Sequence, residues 1–228
     1  MEKTAVSKAI RDLQEGKIIL LYDSDDRERE TDIVVAAEFV KPRHVEIMRK
    51  DGGGMICIAM ENRISKSLGL PYAVDIYDAA VGRYPVLADL RVRRLPYDER
   101  SAFSIMVNHR ETFTGISDED RALTISRFAD AAKGGRGAFT ENYRSPGHVP
   151  LLIAADGLVE KRHGQTELSV ALSKMAGLSG VSCICEMLGA GKSLSKGDAQ
   201  EYGKRNGYVF VEGDEVVEGW KMWQKNKS

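Results

Sequence analysis

The sequence contains few cysteines and no long apolar run. Its three cysteines, Cys57, Cys183 and Cys185, include no Cys-x-x-Cys pair, so neither a disulfide framework nor a structural zinc site is expected. No apolar run approaches the roughly 20 residues that span a bilayer. The first residues are charged and amphipathic, unlike a secretory signal. These absences argue against a membrane-spanning protein and favour a cytoplasmic location with free thiols.

Neither sign of charge dominates. The chain has 33 basic and 34 acidic residues, a formal net charge of -1, so no nucleic-acid or anionic-membrane surface is expected. An anionic small molecule would have to be held by a few local cations. The 228 residues, 43% of them hydrophobic, suffice for one core, and residues 1–228 are predicted to form a single domain.

Apolar periodicity predicts an alternation of helices and strands. Helices are expected before Gly16, after Pro42, after a cap at Ser117 or Asp118, from the turn at Gly164, and within residues 197–207. The predicted strands lie within residues 17–23, 33–40, 55–60, 102–109, 181–188 and 208–211. Residues 75–100 are predicted to form an exposed excursion, and residues 143–154 a turn. This alternation predicts an α/β fold with a mixed sheet.

The most unusual segment is DSDDRERETD, residues 23–32, which we call the acidic loop. Eight of its ten side chains are charged, and it lies between two apolar strands. Its carboxylates suit a hard divalent cation, and its arginines suit a phosphate or polyol. A solvated charged loop is the alternative interpretation. Its place at a strand end favours a site, because α/β folds bind ligands there.

A second candidate is RHGQTE, residues 162–167, which we call the basic turn. Free N–H groups at a helix start, a glycine that permits close approach, Arg162 and Thr166 together suit a phosphate. Simple helix capping beside a surface arginine is the alternative. No Walker or dinucleotide-binding fingerprint is present.

The third candidate is Glu186, at the end of the strand that contains Cys183 and Cys185. A partly buried carboxylate at a strand end has a raised pKa and can act as a general base. An ordinary strand-ending glutamate is the alternative. Cys57, the Thr112/Thr114 pair and His148 have simpler explanations as a core thiol, turn residues and a bend residue.

These segments, in this order, resemble the 3,4-dihydroxy-2-butanone 4-phosphate synthase family over essentially the whole chain. The resemblance rests on DSDDRERETDIVVAAEF, GGGMICIAM, FTGISDEDRALTI, RSPGHVPLL, RHGQTE and LSGVSCICEML. It implies a three-layer α/β (α+β) domain, with a mixed, twisted sheet flanked by helices. It also implies conversion of ribulose 5-phosphate to the four-carbon ketone phosphate and formate in riboflavin biosynthesis. Mg²⁺ or Mn²⁺, one or two ions per site, and a homodimer with sites near its interface follow from the same resemblance.

The resemblance also implies roles for particular residues. Catalytic roles go to Glu186, Asp32, Glu30, Cys57 and His148. Substrate contacts go to Arg27, Glu28, Asp32, Thr112, Thr114, Arg162, Gly164, Gln165, Thr166 and Glu186. Metal ligation goes to Glu28 and Gln165, and Asp120 and Arg121 are further candidates. Removal of the substrate's C3 proton would fall to Asp32 or Glu186.

One departure from the family pattern concerns the basic turn. The family typically has a metal-binding histidine where this chain has Gln165, and a histidine stands two residues earlier as His163. An amide oxygen suits magnesium but cannot carry a proton. Activity is therefore either preserved, weakened or dependent on His163 reaching inward.

Two rival hypotheses remain at this stage. The first is a sugar-phosphate or metal-binding module that has lost the reaction through the histidine-to-glutamine exchange. The second is a metal-dependent sugar-phosphate isomerase or epimerase, which would release no one-carbon fragment. Formate release from ribulose 5-phosphate distinguishes both from the synthase.

Overall fold

The computed structural model describes residues 4–90 and 100–226. Its strands are β1 (Ile19–Tyr22), β2 (Thr31–Ala36), β3 (Cys57–Met60), β4 (Phe103–His109), β5 (Tyr143–Ile153), β6 (Val181–Glu186) and β7 (Val209–Glu212). Its α-helices are α1 (Ala5–Gln14), α2 (Pro42–Asp51), α3 (Asn62–Leu68), α4 (Ala73–Ala80), α5 (Val86–Asp89), α6 (Asp118–Asn142), α7 (Gln165–Met175), α8 (Lys196–Asn206) and α9 (Gly213–Lys225). Short 3₁₀ turns lie at Ala37–Phe39 and Leu158–Glu160.

The strands form one sheet in the order β4-β5-β3-β6-β2-β1-β7. The pairs β1/β7 and β3/β5 are parallel, and the other neighbours are antiparallel. The predicted mixed sheet is therefore confirmed. Ser117 caps α6, as one of the two alternatives predicted, because its side chain accepts a hydrogen bond from the Asp120 N–H.

Both faces of the sheet are covered, which explains the unbroken apolar runs in its strands. Leu20 and Ile33 belong to one buried cluster, which includes side chains of α2, α6 and α8. Leu21 and Val34, one position further along each strand, belong to the opposite cluster with side chains of α1, α7 and α9. Helix, sheet and helix thus form the three layers that the resemblance implies.

The strand registers gather chemically active side chains at one end of the sheet. Asp32 on β2 pairs with Glu186 on β6, and Leu21 on β1 pairs with Asp32. Cys57, the first residue of β3, pairs with Ile184 on β6. Asp32, Cys57 and Glu186 therefore lie on three consecutive strands at the same sheet end.

One predicted turn is wrong, because residues 143–153 form β5. The sequence predicted no strand here because it contains Pro146, Gly147 and Pro150, and proline has no backbone N–H to donate to a neighbouring strand. β5 accommodates them because its pairing with β4 has register shifts between Phe103 and Met106 and between Val107 and Asn108. Its other neighbour, β3, pairs only with Leu151, Leu152 and Ile153, beyond the last proline.

Other differences lie in the helices. The sequence prediction missed α9, whose buried Val216, Val217 and Trp220 cover the sheet. The GGRG segment, residues 134–137, which the sequence predicts to interrupt this helix, contains a kink at Gly135, where φ is 72°, and α6 continues beyond it. Within the predicted excursion, α4 and α5 are helical, and residues 91–99 lie outside the described residues.

The three cysteines are free and buried. Burial raises the pKa of the Cys183 thiol, and it raises the pKa of Cys185 to about 12. Both thiols are therefore neutral packing groups near neutral pH. Over residues 4–90 and 100–226, no helix has both the length and the apolar character to cross a bilayer.

Candidate active site

A cavity of about 120 Å³ lies at the sheet end where Asp32 and Glu186 meet. It is lined by Arg27, Glu28, Asp32, Cys57, Ser101, Ala102, Phe103, Leu152, Arg162, Gln165, Thr166, Ile184 and Glu186. The acidic loop and the basic turn therefore face the same space, together with the strand-ending Glu186. Sequence reasoning did not identify the lining residues Ser101, Leu152 and Ile184, because neither their residue types nor their spacing suggests a site.

The acidic loop folds around one buried carboxylate, that of Asp23. Its two oxygens accept hydrogen bonds from the backbone N–H groups of Glu28 and Glu30, each at 2.9 Å. The Arg27 guanidinium lies 3.4 Å from the same carboxylate. Arg29 takes a left-handed backbone conformation with φ of 60°, which bends the chain between the two glutamates. Asp23 is thus an organising residue that sequence reasoning missed among the seven other charged residues of the loop.

Carboxylates are crowded in and around the cavity. Burial, together with the neighbouring Glu186 carboxylate, raises the pKa of Asp32 well above its usual range. Burial also raises the pKa of Glu28, against the opposing effect of Arg27, and it raises the pKa of Glu186. These groups hold protons more tightly than free carboxylates do, which is the property required of acid-base groups.

Two other predicted catalytic residues lie near enough to this cluster to interact with it electrostatically. Glu30 does not line the cavity; its carboxylate accepts a hydrogen bond from Ser193 Oγ at 2.5 Å, and its backbone carbonyl from Gln165. Cys57 lines the cavity, and burial raises the pKa of its thiol well above the usual range. Cys57 is therefore a neutral wall group near neutral pH, not a thiolate.

The basic turn is built on an ion pair. Arg162 Nη1 lies 2.5 Å from Glu167 Oε2, and Glu167 Oε1 accepts the Ala155 N–H at 2.8 Å. Gly164 precedes α7 with its backbone extended, and a Cβ atom there would lie 2.3 Å from Arg162 Nη1. Glycine therefore leaves room for the guanidinium beside the first turn of α7, whose N–H groups are free of intrahelical partners. The sequence did not predict this ion pair of Glu167 with Arg162.

Gln165 joins the basic turn to the acidic loop. Its Nε2 donates to the backbone carbonyls of Leu21, at 3.1 Å, and Glu30, at 2.9 Å. Its Oε1 is buried and, like Asp32 Oδ1, has no hydrogen-bond partner within the part of the chain that the structure describes. Two such oxygen acceptors beside carboxylates fit a hard divalent cation.

The donor set for a metal is small. No group of three His, Cys, Asp or Glu side chains within residues 4–90 and 100–226 is arranged to hold an ion. A small donor set is compatible with Mg²⁺, which usually keeps several bound waters and uses one or two protein ligands. His163 is exposed and does not line the cavity, so the alternative in which it reaches inward is not supported.

The remaining predicted residues lie outside the cavity. Thr112 follows β4 and donates to the His109 carbonyl at 2.7 Å. Thr114 Oγ1 donates to Asp120 Oδ2 at 3.2 Å. Asp120 also accepts the Gly115 N–H at 2.7 Å, so it organises this loop as Asp23 organises the acidic loop.

Two further candidates are also away from the cavity. Arg121 is buried behind the glycine turn and lies 3.5 Å from the Gly54 carbonyl. His148 is exposed on β5, where Asn108 Oδ1 accepts its backbone N–H at 2.8 Å. Neither side chain reaches the cavity within the same chain.

Known proteins match this chain over nearly its whole length. The family model described as 3,4-dihydroxy-2-butanone 4-phosphate synthase matches residues 7–219. A synthase of that name from Methanothermobacter thermautotrophicus is 51% identical over 218 residues, which cover 94% of this chain and 95% of the relative. The chain belongs to the 3,4-dihydroxy-2-butanone 4-phosphate synthase family. A second member, from Methanosarcina mazei, is 46% identical over 96% of this chain and 92% of its own.

A solved synthase structure shares the fold. That protein, in complex with two magnesium ions, is 25% identical, with a TM-score of 0.77 over 95% of this chain and 96% of its own. The expected family and the three-layer fold are confirmed. The chain is an enzyme of this family, whose members convert ribulose 5-phosphate to 3,4-dihydroxy-2-butanone 4-phosphate in riboflavin biosynthesis.

The anchoring role of Asp23 gives a first testable prediction. Asp23→Ala leaves the Glu28 and Glu30 N–H groups without their acceptor and should lower the free energy of unfolding by about 1–3 kcal/mol. Urea unfolding measures this loss, and amide exchange at Glu28 and Glu30 should become faster. Asp26→Ala, at an exposed position of the same loop, should change stability by less than about 0.5 kcal/mol. Equal losses in both variants would contradict the anchoring role.

Proposed function

We propose that the cavity is the active site at which this chain converts D-ribulose 5-phosphate to L-3,4-dihydroxy-2-butanone 4-phosphate and formate. The observation that carries the proposal is the shared cavity. Carboxylates of the acidic loop and of β6 line it together with Arg162, which precedes α7, and Gln165 connects the basic turn to the acidic loop. Substrate and products balance without an oxidant or reductant, so the residues must supply only charge stabilisation and proton transfer.

Glu28 and Gln165 would hold Mg²⁺ or Mn²⁺, as one or two ions. When bound, such an ion polarises substrate oxygens and stabilises the negative charge that develops on them. The partnerless Gln165 Oε1 and the carboxylate-rich lining support this assignment. A solved relative in complex with two magnesium ions supports the use of a divalent ion.

Arg162, Gly164 and Thr166 would bind the substrate's phosphate. The guanidinium beside the first turn of α7 combines a charge-assisted donor with free backbone N–H groups, and both favour a dianion. Glu167 holds Arg162 in place through the ion pair, so it is a positioning residue. Arg27, also in the cavity wall, would contact the sugar hydroxyls from the acidic-loop side.

Asp32 and Glu186 would move protons. They are register partners on β2 and β6, and burial raises the pKa of both, which makes either a stronger base than a free carboxylate. One of them removes the C3 proton of the substrate. Cys57 would act as a neutral contact beside them, and Glu30 would position the loop through its bonds to Ser193 and Gln165.

The rival hypotheses differ from this proposal in the product. A module that binds without reacting has no need for the paired acids Asp32 and Glu186, whose presence favours turnover. An isomerase or epimerase would return a pentose phosphate. Only the synthase reaction separates one carbon as formate.

Formate release tests the proposal directly. With Mg²⁺ and ribulose 5-phosphate, the protein should release formate and the four-carbon ketone phosphate in equal amounts, and EDTA should abolish both. Glu186→Gln should lower kcat by about 10²–10⁴-fold, because a proton-transfer group is lost. Glu218→Gln, an exposed acid on α9, is the matched control and should keep full activity. A pentose phosphate product, or binding without formate, would reject the synthase assignment.

Arg162 allows a test of phosphate binding. Arg162→Ala should raise KM by about 10–100-fold, as expected for loss of a charge-assisted hydrogen bond. Arg162→Lys retains the charge and should recover part of that loss. The adjacent, exposed Lys161→Ala serves as control, with KM unchanged. Equal KM values for Arg162→Ala and Lys161→Ala would show that another group binds the substrate's phosphate.

We also propose a homodimer in which His148 serves the neighbouring subunit's site. β4 is an edge strand, and Phe103, Met106, Phe113 and Ile116 expose apolar surface on or just after it. His148 lies on the adjacent β5, outside its own cavity. A substrate role for Thr112 and Thr114 would also require the neighbouring subunit. A single domain over residues 1–228 and a cytoplasmic location remain predictions.

Subunit mixing tests the shared site. His148→Ala and Glu186→Gln homodimers should each be inactive. After unfolding and co-refolding of equal amounts, about a quarter of wild-type activity should return, since half of the dimers then contain one intact site. No recovery, with dimers confirmed by sedimentation, would place His148 in its own subunit's site or outside catalysis.

A further inference from the structure

The side-chain amide of Gln165 is held in one orientation. Its Nε2 donates to two backbone carbonyls, Leu21 O at 3.1 Å and Glu30 O at 2.9 Å. A carbonyl oxygen only accepts, so rotating the amide by half a turn would set Oε1 against two other acceptors and lose both hydrogen bonds. The orientation therefore follows from the hydrogen-bond network.

The fixed orientation determines which atom Gln165 offers to a ligand. Oε1 is buried in a residue that is only 6% exposed, and it has no hydrogen-bond partner among residues 4–90 and 100–226. A buried amide oxygen left without a donor costs about 1–3 kcal/mol, so a cation or an ordered molecule is expected there. Glu28, Asp32 and Glu186 line the same cavity, which favours a cation.

We infer that Gln165 sets the metal preference of this site, by offering an amide oxygen that favours Mg²⁺ and Mn²⁺ over Zn²⁺. This inference rests on the proposed function, which places a divalent ion between Glu28 and Gln165. Carboxylate and amide oxygens suit hard ions, whereas imidazole nitrogen suits zinc. His163 supplies no such nitrogen, because its side chain is exposed and lies outside the cavity lining.

A histidine at position 165 would change the donor atom without removing the residue's link to the acidic loop. A neutral imidazole has one N–H, so it can donate to Leu21 O or Glu30 O but not to both. Its second nitrogen then becomes the ligand atom. Cys57, a soft sulfur group in the cavity wall, is present in both the wild type and Gln165→His. Any difference in metal preference between the two is therefore due to residue 165.

Metal binding to the EDTA-stripped, chelator-free protein tests the inference without reference to activity. Electron paramagnetic resonance of free Mn²⁺ gives its dissociation constant, and competition gives those of Mg²⁺ and Zn²⁺. Gln165→His should raise the affinity for Zn²⁺ relative to Mn²⁺ by at least about tenfold. Pulsed resonance of bound Mn²⁺ should detect a directly bound imidazole nitrogen in Gln165→His and none in the wild type.

Two variants complete the experiment. Gln165→Met keeps the side-chain length but removes the amide oxygen together with the two Nε2 hydrogen bonds, so Mn²⁺ binding should weaken at least about tenfold, with thermal unfolding verifying the fold. His163→Gln should leave all three dissociation constants unchanged. Wild-type Mn²⁺ binding that Gln165→Met leaves intact, or an unchanged Zn²⁺/Mn²⁺ ratio in Gln165→His, would overturn the inference while the metal proposal stands. Absence of Mn²⁺ binding in every protein would overturn both.

Discussion

The side-chain amide of Gln165 joins the two halves of the site, and the geometry of the cavity depends on it. Its two N–H bonds tie the start of α7 to the end of β1 and to Glu30 in the acidic loop. Apart from that bridge, the charged loop is held by the Asp23 carboxylate from its own side and by the hydrogen bond from Ser193 to Glu30. The helix start and the carboxylates are therefore fixed relative to each other before any ligand binds, which is the preorganisation that electrostatic catalysis requires.

This fixed arrangement brings like charges together. Glu28, Asp32 and Glu186 share the cavity wall, and burial raises the pKa of each. Arg27 and Arg162 offset part of the negative charge, but each is also engaged by an acid: Arg27 with Glu28 at 3.0 Å, and Arg162 with Glu167. A cation from outside the chain is the direct way to relieve the remaining repulsion. The cost of assembling the acids is thus the physical basis for expecting a metal.

The sequence predicted the parts of the fold that repeat a simple pattern. β1, β2 and β6 are apolar runs buried on both faces, and such runs are recognisable without a structure. β5 was not recognisable, because Pro146 and Pro150 are tolerated only through its irregular pairing with β4, a long-range property. α9 was missed although its apolar residues recur at helical spacing, because the strand within residues 208–211 was taken as the last element of the chain.

The site divides in a similar way. Residue types identified Arg27, Glu28, Asp32, Arg162 and Glu186, and the register of β2 with β6 brings Asp32 and Glu186 together. The supporting contacts were not predictable, since one acid among many gives no sign of which backbone groups it will bind. Asp23 and Glu167 stand out only once the loops are folded. The sequence also placed His148, Thr112 and Thr114 in the site, whereas within one chain they lie on the β4–β5 side, outside the cavity.

The exchange of histidine for glutamine at position 165 is compatible with catalysis on physical grounds. An amide cannot carry a proton, but the carboxyl groups of Asp32 and Glu186, whose pKa values burial raises, lie in the same cavity. In the proposed mechanism, the position therefore supplies only a ligand atom and a link to the acidic loop. Glutamine does both through different atoms, with Nε2 bound to two carbonyls and Oε1 left for a cation. A neutral imidazole would have a single N–H for that link, so glutamine holds the loop with one more hydrogen bond.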